Sequence, residues 1–157
     1  MEWVSTILKS LIIYNVVSGD YNAIDTDHVE IYMDKLWTHT KPLPLPMRLF
    51  SVAVMDQKMW IFGGISANSN FKELKSSWSF TGDTWTQGPD LMNARHGHRT
   101  INYFNGLMHI GGNGTQPIER WNEGSTGKFE MLNSDVKLPQ YVDFPEIFFV
   151  SNSFCRF

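Results

Sequence analysis

Residues 95–112 read RHGHRTINYFNGLMHIGG, and residues 48–64 read RLFSVAVMDQKMWIFGG. Each stretch begins with an arginine, continues through two apolar runs and ends on a glycine pair. Gly63-Gly64 recurs as Gly111-Gly112, and Arg48 recurs as Arg95 at nearly the same offset. A period of roughly 50 residues predicts that each copy folds as one unit of several secondary-structure elements.

Each copy carries the pattern of a β-hairpin. The residues alternate with the two-residue period of a strand on both sides of a short polar break. In the second copy that break is Asn105-Gly106, the strongest short hairpin signal, because both turn positions favour positive φ. The predicted hairpin strands are residues 51–55 and 59–62 in the first copy, and 99–104 and 107–110 in the second.

Two further short strands, each with an aromatic residue, are predicted after the hairpin. The third strands are residues 29–32, 77–80 and 118–121, and the fourth strands are residues 35–38, 83–86 and 128–130. Trp37 and Trp85 have the same offset as the two glycine pairs and lie in the fourth strands, and Phe129 takes their place in the last copy. Large aromatic side chains at these positions are expected to pack between neighbouring units.

The succession of arginine, alternating hairpin, Gly-Gly, aromatic third strand and tryptophan resembles the kelch repeat. The resemblance is clear for residues 29–130. It implies an all-β fold, a partial kelch-type β-propeller of about three blades of four-stranded antiparallel sheet. The chain is then a single incomplete propeller domain over residues 1–157, with a decayed blade at 1–47, kelch blades at 48–94 and 95–134, and a possible closing strand and tail at 135–157. In the decayed blade, Ser18-Gly19 stands in place of the glycine pair.

The resemblance also implies the function, a non-catalytic scaffold that binds another protein or peptide. Arg48 and Arg95 match the motif position near the start of the first strand, and with His98 they are the predicted partner contacts. Arginine offers a forked, permanently charged donor for acidic groups. The alternative is that each arginine pairs with backbone or a carboxylate and ties two blades together. The residues predicted to be structural are Gly63, Gly64, Gly111, Gly112, Trp37, Trp78, Trp85 and Trp121.

Three blades leave a propeller open, because closed propellers have about four to eight. The chain is therefore expected to be a fragment of a longer protein, a truncated product with no independent function, or one half of a ring. In the last case, self-association of two copies completes the propeller.

The enzymatic alternative to a scaffold is a fragment of a galactose-oxidase-like copper oxidase, whose blades are kelch-type. The radical cofactor of that class needs a cysteine beside a tyrosine, and the one cysteine here, Cys155, lies close to the end of the chain. His96 and His98 are predicted to share a strand face with His109 across the hairpin, but such a cluster lacks the ligand set of a metal site. We expect neither a metal nor any other cofactor.

Composition bears on the partner class. The chain is 42% hydrophobic, has a net charge of −3 and contains no cluster of Lys and Arg, so nucleic acid is not an expected partner. The apolar run at residues 12–17 is too short to cross a membrane, and the start lacks a signal-like stretch, which favours the cytoplasm. Asn113 begins an N-glycosylation sequon, which matters only on the secretory route.

Overall fold

The computed structural model describes residues 11–12, 25, 27–33, 35–112, 118–122, 128–132, 138, 142 and 145–147. Within these residues the chain is all-β, with four antiparallel sheets and one short 3₁₀ helix. The predicted all-β class is therefore confirmed. None of the described residues forms a helix long and apolar enough to cross a membrane. The predictions for Ser18-Gly19, Asn113 and Cys155 lie outside the described residues.

Two of the sheets have four strands each, and in both sheets every strand pairs with the next one of the sheet in chain order. The second sheet consists of β4 (Ser51–Met55), β5 (Lys58–Phe62), β8 (Ser77–Phe80) and β9 (Trp85–Gln87). The third sheet consists of β10 (Arg99–Tyr103), β11 (Gly106–Ile110), β12 (Glu119–Asn122) and β13 (Glu130–Met131). The two sequence copies thus fold into two sheets with the same topology.

The first sheet contains three described strands, β1 (Leu11–Ile12), β2 (Glu30–Met33) and β3 (Leu36–His39), paired in that order. An additional two-stranded ribbon, which the sequence pattern did not predict, follows β5. It consists of β6 (Ile65–Ser66) and β7 (Lys72–Glu73), joined by a 3₁₀ helix at Ala67–Ser69. Ser66 caps this helix by accepting a hydrogen bond from the Asn68 amide.

The hairpin turn of the second sheet falls within the predicted break at residues 56–58, and β5 begins one residue earlier than predicted. Met55 is paired with Lys58, so Asp56 and Gln57 form a two-residue turn, with φ of 53° and 58°. Two positive φ values are the mark of a type I′ turn, whose twist matches that of the strands it joins.

The equivalent turn of the third sheet is one residue earlier than predicted. Tyr103 is paired with Gly106, so the turn consists of Phe104 and Asn105, and Gly106 is the first residue of β11. A Cβ atom on Gly106 would lie 2.0 Å from the Trp121 carbonyl oxygen. The glycine is therefore required by the close approach of β12 rather than by the turn.

The hydrophobic core lies on both faces of the second sheet, because β5 alternates in the period of a strand. Met59 and Ile61 pack with Val29, Leu43 and Met47, which belong to the first unit and its connector. On the opposite face, Trp60 and Phe62 pack with Leu91, Leu107 and Phe129. The second sheet is thus sandwiched between its two neighbours.

The aromatic residues of the predicted third and fourth strands form a close pair in each of the three larger sheets. The ring centroids are separated by 4.9 Å for Tyr32–Trp37, 4.7 Å for Phe80–Trp85 and 5.7 Å for Trp121–Phe129. Trp85 also donates a hydrogen bond from Nε1 to the Lys41 carbonyl, at 3.2 Å, and so connects its sheet to the preceding segment. Trp37 is 40% exposed. Trp78 packs against the core cluster around Ile61.

Candidate binding cavity

The glycine pairs join each sheet to the segment that starts the next unit. The Gly64 amide donates a hydrogen bond to the Arg95 carbonyl at 2.9 Å, and the Gly112 amide donates to the Val142 carbonyl at the same distance. Val142 follows Arg95 by the same number of positions as Arg95 follows Arg48. Val142 therefore has the same relation to Gly112 as Arg95 has to Gly64.

The first glycine of each pair leaves room for that incoming segment. A Cβ atom on Gly63 would lie 2.4 Å from the Arg95 carbonyl oxygen, and one on Gly111 would lie 2.7 Å from the Val142 carbonyl oxygen. Both glycines also have positive φ, 61° and 74°. Close approach and backbone conformation together require glycine at both positions.

A cavity of about 300 Å³ opens between the starts of the second and third sheets and residues 145–146. It is lined by residues 49–52, 97–99 and 145–146. These three runs begin at positions 49, 97 and 145, which are evenly spaced and have the same offset as the two glycine pairs. Corresponding segments of the two sequence copies, together with residues 145–146, thus line one cavity.

Hydrogen bonds between the first strands of neighbouring sheets hold the cavity walls together. The Thr100 amide donates to Ser51 Oγ at 2.7 Å, and the Gly97 amide donates to the Leu49 carbonyl at 2.9 Å. At the mouth, Arg99 Nη2 lies 3.2 Å from Glu146 Oε2, and both side chains are more than half exposed. The cavity therefore has a fixed wall and an accessible, charged rim.

Arg95 lies beneath this region and not in the cavity lining. Its side chain is completely buried, with Nη2 2.6 Å from Glu119 Oε1 and Nη1 3.2 Å from the Gly111 carbonyl oxygen. Glu119 is also completely buried and accepts hydrogen bonds from the amides of Met92 and Asn93, each at 2.8 Å. This geometry favours the structural alternative for Arg95, because a partner cannot reach the buried guanidinium.

Arg48 also contacts other parts of the chain. Its Nη1 lies 2.5 Å from Asp25 Oδ1, and Asp25 Oδ2 accepts a hydrogen bond from the Ala67 amide. The guanidinium carbon is 5.4 Å from the centre of the Phe71 ring. With 18% of its side chain exposed, Arg48 connects residue 25 to the β6–β7 ribbon and keeps a small accessible surface.

His98 is the one of the three predicted contacts that lines the cavity. Its side chain is 6% exposed, and its ring centroid lies 5.6 Å from that of the buried His109. His109 Nδ1 is 2.9 Å from Thr100 Oγ1, whereas His109 Nε2 and both ring nitrogens of His98 lack a hydrogen-bond partner in the described part of the chain. His98 packs against the glycine pairs, since a Cβ on Gly63 would lie 3.1 Å from its Cε1.

Burial keeps both histidines neutral. Desolvation, assisted by the charge of Arg95, lowers the pKa of His98 to about 3. Desolvation, with contributions from His98 and Arg95, also lowers the pKa of His109 well below its usual value. At neutral pH this pair contributes no charge to the cavity region.

These buried histidines predict a loss of stability in acid. The unfolded chain takes up protons below pH 6.5, whereas the folded chain stays unprotonated at His98 until about pH 3, so acid favours unfolding. We expect the free energy of unfolding to fall by up to about 1.4 kcal/mol per histidine between pH 7.5 and 5.5. Urea unfolding at several pH values measures this, and a His98→Gln variant should show about half the slope. An equal slope in both proteins would contradict the prediction.

His96, the third histidine of the predicted cluster, does not join the His98–His109 pair. His96 Nδ1 lies 3.0 Å from Glu73 Oε1, so it contacts the β6–β7 ribbon rather than His98 and His109. Across the described ranges, no three His, Cys, Asp or Glu side chains come close enough together to hold a metal ion.

The sequence prediction missed Arg99 and Glu146. Arg99 is predicted only as a strand residue, and Glu146 belongs to the possible closing strand and tail at 135–157, in which the described residues 145–147 form no strand. The repeat step of 47 or 48 residues was the available signal, because it brings residues close to positions 50, 98 and 146 to corresponding places. Their residue types, Phe50, His98 and Glu146, share no chemistry, so no motif marks the cavity.

The chain matches no protein-family model, and none of the curated proteins matches it significantly.

Proposed function

We propose that this chain is a non-catalytic protein-interaction scaffold made of kelch-type repeats and forms part of a β-propeller. The observation that carries the proposal is the cavity lined by residues 49–52, 97–99 and 145–146. In a propeller, the first strands of successive blades surround a central channel, so equivalent positions of successive repeats line one cavity. In this cavity, residues 49–52 and 97–99 are corresponding segments of the two sequence copies.

The stacking of the sheets supports the same proposal. Two four-stranded antiparallel sheets of equal topology pack face to face, and the contact from Gly112 to Val142 repeats the one from Gly64 to Arg95. Each repeat therefore contacts its neighbours through the same positions, as in other repeat proteins. A ring that is completed by further blades, or by a second copy of the chain, remains a prediction.

The polar groups at the cavity support binding rather than catalysis. Ser51 Oγ accepts a hydrogen bond from the Thr100 amide, and the Arg99 guanidinium forms an ion pair with Glu146. These groups hold the wall and the rim in place. A fixed wall that presents side chains of different chemistry at its mouth is suited to choosing a partner.

Selection of short displayed peptides against the folded chain tests the proposal. We expect enriched peptides that bind with micromolar affinity and compete with one another. A Val52→Glu variant should weaken their binding by about tenfold or more, because Val52 lines the cavity and is 42% exposed.

Val54→Glu is the matched control. Val54 is on the same strand and face, is 37% exposed and lies outside the cavity lining, so this variant should bind the peptides normally. Failure to enrich any peptide, or equal binding to both variants, would contradict the proposed site.

A further inference from the structure

We propose that the cavity takes an apolar side chain of its partner, of about leucine to tryptophan size, and not an acidic one. This inference rests on the proposed function and names the chemistry of the partner at that site. It differs from the expectation drawn from Arg48 and Arg95, for which an acidic peptide would be the natural ligand.

The charges around the cavity argue against an acidic ligand. Arg99 is the only cation among the described lining residues, and its Nη2 lies 3.2 Å from Glu146 Oε2. Arg95 is buried against Glu119, and Arg48 contacts Asp25, so neither guanidinium lies in the lining. His98 is neutral at physiological pH. A carboxylate at the mouth would therefore have to compete with Glu146 for Arg99.

Part of the cavity wall is apolar. Four of the nine lining residues are Leu49, Phe50, Val52 and Pro145, and the Ser51 hydroxyl already accepts a hydrogen bond from the Thr100 amide. Val52 is 42% exposed, so apolar surface remains for a ligand to cover. Burial of that surface is favourable in proportion to its area.

The size and the rim of the cavity fit one anchoring side chain. A volume of about 300 Å³ is at the lower end of ligand pockets, which is enough for a single large side chain and too small for a folded element. The Arg99–Glu146 pair at the mouth would surround such an anchor with polar groups. An apolar anchor inside a polar rim is the usual arrangement of an interface hot spot.

Titration of the full chain with N-acetyl amides of leucine, phenylalanine and aspartate tests the inference. Methyl resonances of Leu49 and Val52 should shift saturably with the leucine and phenylalanine amides, and not with the aspartate amide. The dissociation constant should change by less than about twofold between low and high salt, because no net charge is neutralised.

Two variants localise the effect. Val52→Glu should weaken the binding of the leucine amide by about tenfold or more, whereas Val54→Glu should leave that binding unchanged. Unshifted methyl resonances of the core residue Leu107 in both variants would show that the fold is kept.

The outcomes separate this inference from the proposed function. Salt-sensitive binding of the aspartate amide at the cavity would overturn the apolar-anchor inference. Selected peptides that bind at the cavity through acidic residues would likewise overturn it, while supporting the scaffold function. If no probe shifts the cavity methyls and no peptide is selected, both proposals fail.

Discussion

Replacing Glu119 with alanine is expected to lower the free energy of unfolding by about 3–5 kcal/mol. The carboxylate is completely buried and lies 2.6 Å from the buried Arg95 guanidinium. It also accepts hydrogen bonds from the amides of Met92 and Asn93. Without it, a charge and two backbone donors are left in the interior without their acceptor, and each such loss is costly. Urea or thermal unfolding of the purified variant measures the change.

An exposed pair on the same strands supplies the control. Arg120 follows Glu119 on β12, and its Nη2 lies 3.7 Å from Glu130 Oε2, with the Glu130 side chain 61% exposed. Exposed ion pairs contribute about 0–1 kcal/mol, so Glu130→Ala should be nearly neutral. A similar cost for Glu119→Ala and Glu130→Ala would show that Glu119 is not buried against Arg95.

A double-mutant cycle decides whether Arg95 and Glu119 act as one unit. Arg95→Met alone should also destabilise the protein, because it leaves the Glu119 carboxylate buried without its cation. Arg95→Met combined with Glu119→Gln removes both charges, and it should cost at least about 2 kcal/mol less than the sum of the single changes. Additive costs would mean that the two groups are not coupled and would leave Arg95 available for a partner.

The sequence predicts the sheets well because their residues alternate locally. The Asp56–Gln57 turn and the strands on both sides of it are set by contacts between residues that are close together in the chain. Gly106 shows the limit of such reasoning, since Asn105-Gly106 reads as a turn but Gly106 faces the Trp121 carbonyl. That close approach is made by β12, which lies beyond the hairpin, and no local pattern reports it.

The site was less accessible to sequence reasoning for the same physical reason. Arg95 is buried against Glu119, which is 24 residues further along the chain. The exposure of the arginine therefore could not be predicted from the residues next to it in the sequence. The cavity depends on positions 49, 97 and 145, whose even spacing is visible in the sequence. Their convergence is visible only in the packed sheets.

Gly63→Ala is expected to be the second strongly destabilising change, with a cost of about 2–5 kcal/mol. The left-handed backbone at Gly63, with φ of 61°, accounts for about 1–2 kcal/mol of this when a Cβ is present. The remainder comes from the Arg95 carbonyl oxygen, which would lie 2.4 Å from that Cβ and would have to move. Because Gly63 is where the second sheet meets the start of the next unit, that movement would separate the strands that line the cavity. Thermal unfolding measures the cost.

Gly82→Ala separates these two contributions. Gly82 also has a positive φ, 111°, but a Cβ there would meet no heavy atom within 4 Å, so only backbone strain remains. We expect Gly63→Ala to cost more than Gly82→Ala, because the exposed segment at residues 81–84 can adjust to an added Cβ, whereas repulsion from the Arg95 carbonyl cannot be relieved by a side-chain rotation. Equal costs would mean that the chain at Gly63 relaxes away from Arg95. In that case the glycine pair would serve only as a turn, and the repeated contact between successive units would not depend on it.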